Sequence, residues 1–164
     1  MPRLEILKLN NNKIRTLEHN TFNGNNQLTD LDLGDNEIDS LSDNIFKSLI
    51  NLKTLRLDRN NIAFIGQDAF RGLGAVRTLD LTQNWLSGVH PDMFQDLPTV
   101  FKHQIYLNDN PLMCNCELRH LVSWISRWPF RVTNAKNLRC SPASGKSQVH
   151  CKSNCNVLDL ERGG

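Results

Sequence analysis

Leucine recurs over the first two-thirds of the chain in one frame, L-x-x-L-x-L-x-x-N. It reads Leu4, Leu7, Leu9 and Asn12, then Leu28, Leu31, Leu33 and Asn36, then Leu52, Leu55, Leu57 and Asn60, then Val76, Leu79, Leu81 and Asn84. The units follow one another every 24 residues, and a second column, Phe22, Phe46, Phe70 and Phe94, keeps the same spacing. A period of that length marks a stack of like supersecondary units. Within L-x-L the two leucines point to one side of a short strand and the residue between them to the other. Stacked units therefore form a parallel sheet with one buried and one open face. Each asparagine stands where the chain turns off the strand, with an amide able to satisfy backbone donors and acceptors in the turn. The phenylalanines fill the far side of each coil. No unit buries its own apolar face, so stability comes from neighbours and the ends need covers.

The pattern then changes. Asn110 follows Asn84 by 26 residues, and the two extra residues before Ile105 and Leu107 predict a bulge in a fifth coil. From Glu117 onward Leu118, Leu121, Val122, Ile125 and Trp128 recur at helical spacing, predicting a helix that lays one apolar face on the last coil, with Trp124 and Trp128 in the core. Residues 1–110 thus read as a solenoid of about five repeats and residues 111–164 as a cysteine-rich cap. At the other end Met1 stands at a repeat leucine position, which predicts an uncapped strand edge. Such an edge frays or gives weak self-association.

These residues carry a family resemblance. Residues 1–110 resemble the 24-residue leucine-rich repeats of extracellular receptors, and the N-P-x-x-C-x-C stretch with its following helix resembles their C-terminal cap. The resemblance implies an α/β fold: a right-handed leucine-rich-repeat solenoid, crescent-shaped, with a parallel concave sheet and a disulfide-bonded helical C-terminal cap. It also implies that the first cysteine pairs with the third and the second with the fourth. Here that is Cys114 with Cys140, and Cys116 with Cys151 or Cys155, leaving one thiol over. Cys151 is favoured because C-S-P-A-S-G-K-S-Q-V-H-C is similar to the segment that closes the cap of variable lymphocyte receptors. Two bridges over such loops stabilise by about 3 to 4 kcal/mol each.

Uniform repeats with a compact cap resemble variable lymphocyte receptors more widely, and these bind antigens or microbial surfaces through the concave face. The implied role is extracellular recognition in innate or variable-lymphocyte-receptor-like immunity, with a protein antigen or microbial surface component as partner. Arg127 to Arg139 holds no long insertion, so the protruding cap finger of such receptors is not expected and the concave sheet carries more of the contact. The alternative class is a cell-adhesion or neuronal/matrix leucine-rich-repeat protein with a defined protein partner.

Composition narrows the other classes. All five cysteines fall in the last third, the distribution of a local disulfide framework and hence of an oxidising, extracellular compartment. Zinc held by Cys114, Cys116, Cys140, His150 and Cys151 is the competing reading, but C-x-C lacks a second close pair. The formal charge of +2 divides into 11 Lys+Arg against 14 Asp+Glu over residues 1–110 and 8 against 3 beyond them. No patch interleaves aromatics with bases, which argues against nucleic acid. No apolar run reaches the 18 residues of a membrane span. No nucleophile elbow, phosphate loop or H-E-x-x-H occurs, so neither a catalytic residue nor a cofactor or metal is assigned.

The repeat frame lets the open face be written down. Position five gives Lys8, Asp32, Arg56, Asp80 and Tyr106; position three gives Ile6, Asp30, Thr54 and Thr78. Position seven gives Asn10, Gly34, Asp58, Thr82 and Asn108; position eight gives Asn11, Asp35, Arg59, Gln83 and Asp109. Six carboxylates face three bases, a surface that attracts cations. Ligand contact is expected at Asp30, Asp32, Arg56, Asp58, Arg59, Asp80, Gln83, Tyr106, Asn108 and Asp109. The competing expectation is that the alternating position-five column neutralises itself by cross-strand pairs, with Asp35 and Arg59 a further pair. Trp85, beside the asparagine turn, reads equally as a flanking anchor or as a ring lying flat on its neighbours. The basic cap residues Arg119, Arg127, Arg131, Lys136, Arg139, Lys146 and Lys152 read as a solvated face.

Overall fold

The computed structural model describes residues 3–100, 104–115 and 118–141. The Cys116 to Cys151 bridge, Cys155, Glu117, His150, Lys146, Lys152 and the stretch 101–103 of the fifth unit lie outside the described residues. The L-x-L segments form β1 (Ile6–Lys8), β2 (Asp30–Asp32), β4 (Thr54–Arg56), β6 (Thr78–Asp80) and β7 (Ile105–Tyr106). They pair in parallel in the order β1-β2-β4-β6-β7. Two shorter strands, β3 (Ser40–Leu41) and β5 (Phe64–Ile65), form a second parallel pair on the flank of the coils. The chain is therefore a leucine-rich-repeat solenoid closed by a helical cap.

Three columns hold the coils together. The frame leucines Leu28, Leu31, Leu33, Leu52, Leu55 and Leu57 are fully buried behind the sheet. On β1 the equivalents Leu4, Leu7 and Leu9 are only partly buried, because β1 is the outer strand among the described residues. On the far side the phenylalanine rings stack, with centroids 5.7 Å apart from Phe22 to Phe46, 6.3 Å to Phe70 and 6.0 Å to Phe94. Between sheet and stack runs an asparagine ladder. The Asn60 amide Nδ2 donates to the carbonyls of Leu57 (3.1 Å), Asp58 (3.2 Å) and, one coil back, Leu33 (3.0 Å), while its Oδ1 accepts from the Ile38 N–H at 3.0 Å. Asn36, Asn84 and Asn110 repeat this set.

The cap grows out of the same columns. Helix α1 (Leu118–Arg127) buries Leu118, Leu121, Val122 and Ile125, the face expected from their spacing. Its first turn is capped by Asn115, whose Oδ1 accepts from the Leu118 N–H at 3.0 Å. Trp124 continues the phenylalanine stack, its ring 5.7 Å from that of Phe94. Trp128, expected in the core, is instead half-buried and meets Phe130 edge-on at 6.0 Å. A disulfide joins Cys114 to Cys140 across a separation of 26 residues. Val132 bridges to Ile105, with the Ile105 N–H donating to the Arg131 carbonyl at 2.9 Å, so the cap covers the edge of β7 that would otherwise recruit another strand.

The structure corrects the expectation for a second cap residue. Arg131 does not stand on the basic surface; it is 3% exposed, with its guanidinium 5.1 Å above the Trp124 ring. Its Nη2 donates to the Leu97 carbonyl at 3.2 Å and to Oε1 of Gln104 at 3.1 Å, while Gln104, fully buried, donates to the Val76 carbonyl at 2.6 Å. No carboxylate among the described residues offsets the buried charge, and desolvation holds its pKa below the ordinary arginine value. Arg131 therefore ties the last coil to the cap. Arg131→Ala is expected to lower unfolding free energy by about 1.5 to 3 kcal/mol, the range for hydrogen bonds made by a charged group. Lys136→Ala, on the exposed face, should stay within about 0.5 kcal/mol. Equal denaturant midpoints for the two variants would refute this role.

Candidate functional site: the open face of the parallel sheet

Strand register brings the expected column together. Lys8 pairs with Asp32, Asp32 with Arg56, Arg56 with Asp80, and Asp80 with Tyr106. Ile6, Asp30, Thr54 and Thr78 form the row beside it. Of the leucines between these rows Leu31, Leu55 and Leu79 are buried and Leu7 partly so, and both rows therefore lie on the open face.

The charges of this face are sorted in a way that residue spacing does not reveal. Asp32 and Asp80 turn back onto their own turns: Oδ1 of Asp32 accepts from the Gly34 N–H at 3.1 Å, and Oδ1 of Asp80 from the Thr82 N–H at 3.0 Å. Asp30 accepts from the Thr29 hydroxyl at 2.6 Å. Lys8 and Arg56 form no ion pair with any described residue. Self-neutralisation of the position-five column is thus not what the structure contains. Its carboxylates are held by neutral donors, and its bases stay available.

Neutralisation takes place one row away, at Arg59. Its guanidinium makes the expected pair with Asp35, at 2.6 and 2.7 Å to the two carboxylate oxygens, and reaches Oδ2 of Asp58 at 3.0 Å. The hydrogen bonds from Arg59 hold the Asp35 carboxyl below its ordinary pKa. The Asp58 carboxyl is pushed up, first by burial and then by Asp80, with Arg59 opposing. Asp58, expected among the unmatched contact groups, is only 9% exposed and is paired with Arg59, whose own side chain stays exposed. Gly34 makes room for Asp58: a Cβ there would lie 2.9 Å from Oδ1 of Asp58 and 3.3 Å from Oδ1 of Asp32.

Position eight has a backbone role. Asn11, Asp35, Arg59, Gln83 and Asp109 all adopt left-handed conformation, with φ of 57°, 52°, 51°, 54° and 58°. Asn and Asp tolerate that region, whereas Arg59 and Gln83 occupy it against preference. The signal in the sequence was Asn or Asp immediately before the ladder asparagine in three of five units. Gln83 and Asp109 remain exposed, and Tyr106 and Asn108 are half-buried at the cap end of the face.

Outside the sheet, Trp85 is 63% exposed. Phe64 on β5, unnoticed in the sequence, is 64% exposed on the same flank, three positions further along the preceding coil. On the cap Arg119, Arg127, Lys136 and Arg139 are exposed. Cys114 and Cys140, being joined to each other, do not present thiolates to a metal.

The family profile described as leucine rich repeat matches residues 2–62 and 50–112. The protein belongs to the leucine-rich-repeat family. No match was found among curated proteins. Leucine-rich-repeat domains are typically non-enzymatic scaffolds that bind protein partners, which agrees with an open face of preorganised charge. No helix among the described residues is long and apolar enough to cross a membrane.

Proposed function

We propose that this leucine-rich-repeat protein is an extracellular recognition module, which binds a protein antigen or a microbial surface component through the open face of its five-stranded sheet, in the manner of variable lymphocyte receptors. The observation that carries the reading is the column Lys8, Asp32, Arg56 and Asp80, charged, presented on rigid strands and not consumed by ion pairing among the described residues. Exposed polar groups on a rigid scaffold are where such modules act, since few rotamers are lost on contact. The Cys114 to Cys140 disulfide supports an oxidising compartment.

Binding to whole microbes should fall several-fold in Asp32→Asn with Asp80→Asn. Asparagine keeps the Oδ1 acceptor for the Gly34 and Thr82 N–H groups, so the thermal midpoint should hold to within about 0.5 kcal/mol of stability. Added salt should weaken binding of the unmodified protein, because exposed charges are screened over about 8 to 10 Å at physiological ionic strength. Exchanging Arg119 and Lys136 for Ala should change little. Loss of binding with that cap pair and none with the aspartate pair would move the site to the cap. Retention on animal cell-surface proteins rather than microbes would favour the adhesion class.

A further inference from the structure

The sheet's charge pattern has a spacing as well as a sign. Neighbouring strands lie about 4.8 Å apart, so Lys8, Asp32, Arg56 and Asp80 form a row of alternating sign with a step near 4.8 Å, running across the strands. A shallow hollow of about 340 Å³ opens over the first two steps of that row, bordered by Ile6, Lys8, Asp30, Asp32, Thr54 and Arg56. Ile6, 56% exposed, supplies an apolar rim one row away. Asp30 and Asp32 each have one carboxylate oxygen fixed by a neutral donor inside the chain, at 2.6 and 3.1 Å. The second oxygen of each accepts no hydrogen bond from any described residue, and the two residues stand two apart on one strand face. One cation of a partner fits between them, with an anion on either side for Lys8 and Arg56.

Which backbone offers acid, base and acid at that step follows from elementary geometry. In an extended strand, side chains on one face are about 6.6 Å apart, so two steps span about 13 Å. In an α-helix, positions i, i+3 or i+4, and i+7 lie on one face and span about 10.5 Å over two steps, at 1.5 Å per residue. The row of the sheet covers about 9.6 Å over two steps. After two steps a strand is out of register by about 3.6 Å, whereas a helix stays within about 1 Å across the hollow.

Resting on the concave reading above, we infer that the partner presents an α-helix running across the strands with a stripe of acid, base and acid at i, i+3 or i+4, and i+7. The first acid meets Lys8, the base meets Asp30 and Asp32, the second acid meets Arg56, and an apolar side chain beside the first acid covers Ile6. A further base at i+10 or i+11 meets Asp80.

The test uses the full 164-residue chain and three synthetic peptides locked as helices by side-chain staples. One carries the Glu, Lys, Glu, Lys stripe, one the inverted Lys, Glu, Lys, Glu stripe, and one the same residues scrambled between faces. Binding is followed by amide chemical shifts and titration. The Glu, Lys, Glu, Lys helix should shift the amides around Lys8, Asp32 and Arg56 and bind several-fold more tightly than the other two. Arg56→Glu should weaken it about three- to tenfold, and replacing the peptide's second Glu by Lys should restore the loss, as expected when one exposed ion pair is inverted and then rebuilt. Arg119→Ala should leave its affinity unchanged. Equal binding of all three helices, no shift at millimolar peptide, or no rescue by the compensating exchange overturns the inference. If the peptides fail while Asp32→Asn with Asp80→Asn still lowers capture of microbes several-fold, only the helical stripe is wrong. If that aspartate pair is silent as well, the concave reading falls with it.

Discussion

Phe70→Ala is expected to destabilise the protein by about 3 to 5 kcal/mol, the range for deleting a fully buried aromatic ring. The ring stands in the middle of a stack, 6.3 Å from Phe46 and 6.0 Å from Phe94, and the stack runs on through Phe94 to Trp124 of the cap. Each coil of a solenoid touches only its neighbours, so no distant element can collapse into the gap. Two interfaces weaken together, the one toward β2 and the one toward the cap. Phe22→Ala should do less harm, because Phe22 stacks on Phe46 alone among the described residues. Denaturant midpoints rank the two variants. Amide exchange should show lost protection on both sides of Phe70 in the first case and only toward β1 in the second. A loss below about 1 kcal/mol in Phe70→Ala would mean that the stack fills space without holding the coils in line.

What could be read in advance follows from repetition. A column such as Lys8, Asp32, Arg56 and Asp80 occurs four times in the same frame, so arithmetic on the leucines places it, and the strand register is the one expected. Repetition says where a side chain starts and not where it ends. Asp32 turning onto the Gly34 N–H, and Arg59 gathering Asp35 and Asp58, depend on which neighbour offers the nearer donor; Gly34, with no side chain, leaves that space open. Features without a second copy were harder still. Phe64 stands in a column with Thr16, Ser40 and Gly88, and no periodicity marks it. Arg131 lies past the end of the helical pattern, where an arginine reads as surface unless its carbonyl and amide partners are known. Left-handed backbone at position eight was legible in principle from Asn11, Asp35 and Asp109, but Arg59 and Gln83 hid the rule by breaking it.

The second large effect is expected at Asn60→Ala, whose consequence depends on which backbone groups lose their last partner. The Leu57 carbonyl also accepts from Asn84, at 2.9 Å, and the Leu33 carbonyl also accepts from Asn36, at 3.0 Å. The Asp58 carbonyl also accepts from the Asp35 N–H at 2.9 Å. These three acceptors keep a donor when Asn60 is truncated. The Ile38 N–H has Oδ1 of Asn60 as its sole acceptor among the described residues, and it sits on a buried residue. Stranding one buried donor costs about 1 to 3 kcal/mol, and the lost amide bonds add about 1 kcal/mol apiece, partly recovered by their second donors. The sum is about 3 to 4 kcal/mol, concentrated at the seam between the second and third coils. Asn12→Ala is the contrast: Asn12 is exposed, and no residue of a preceding coil uses its Oδ1 among the described residues, so truncation should cost about 1 kcal/mol. Exchange of the Ile38 amide reports the stranded donor directly and should speed up far more than that of the Ile62 amide, which keeps Asn84 at 3.0 Å. Equal acceleration at both amides would show that the ladder melts as one unit and that no single donor governs the seam.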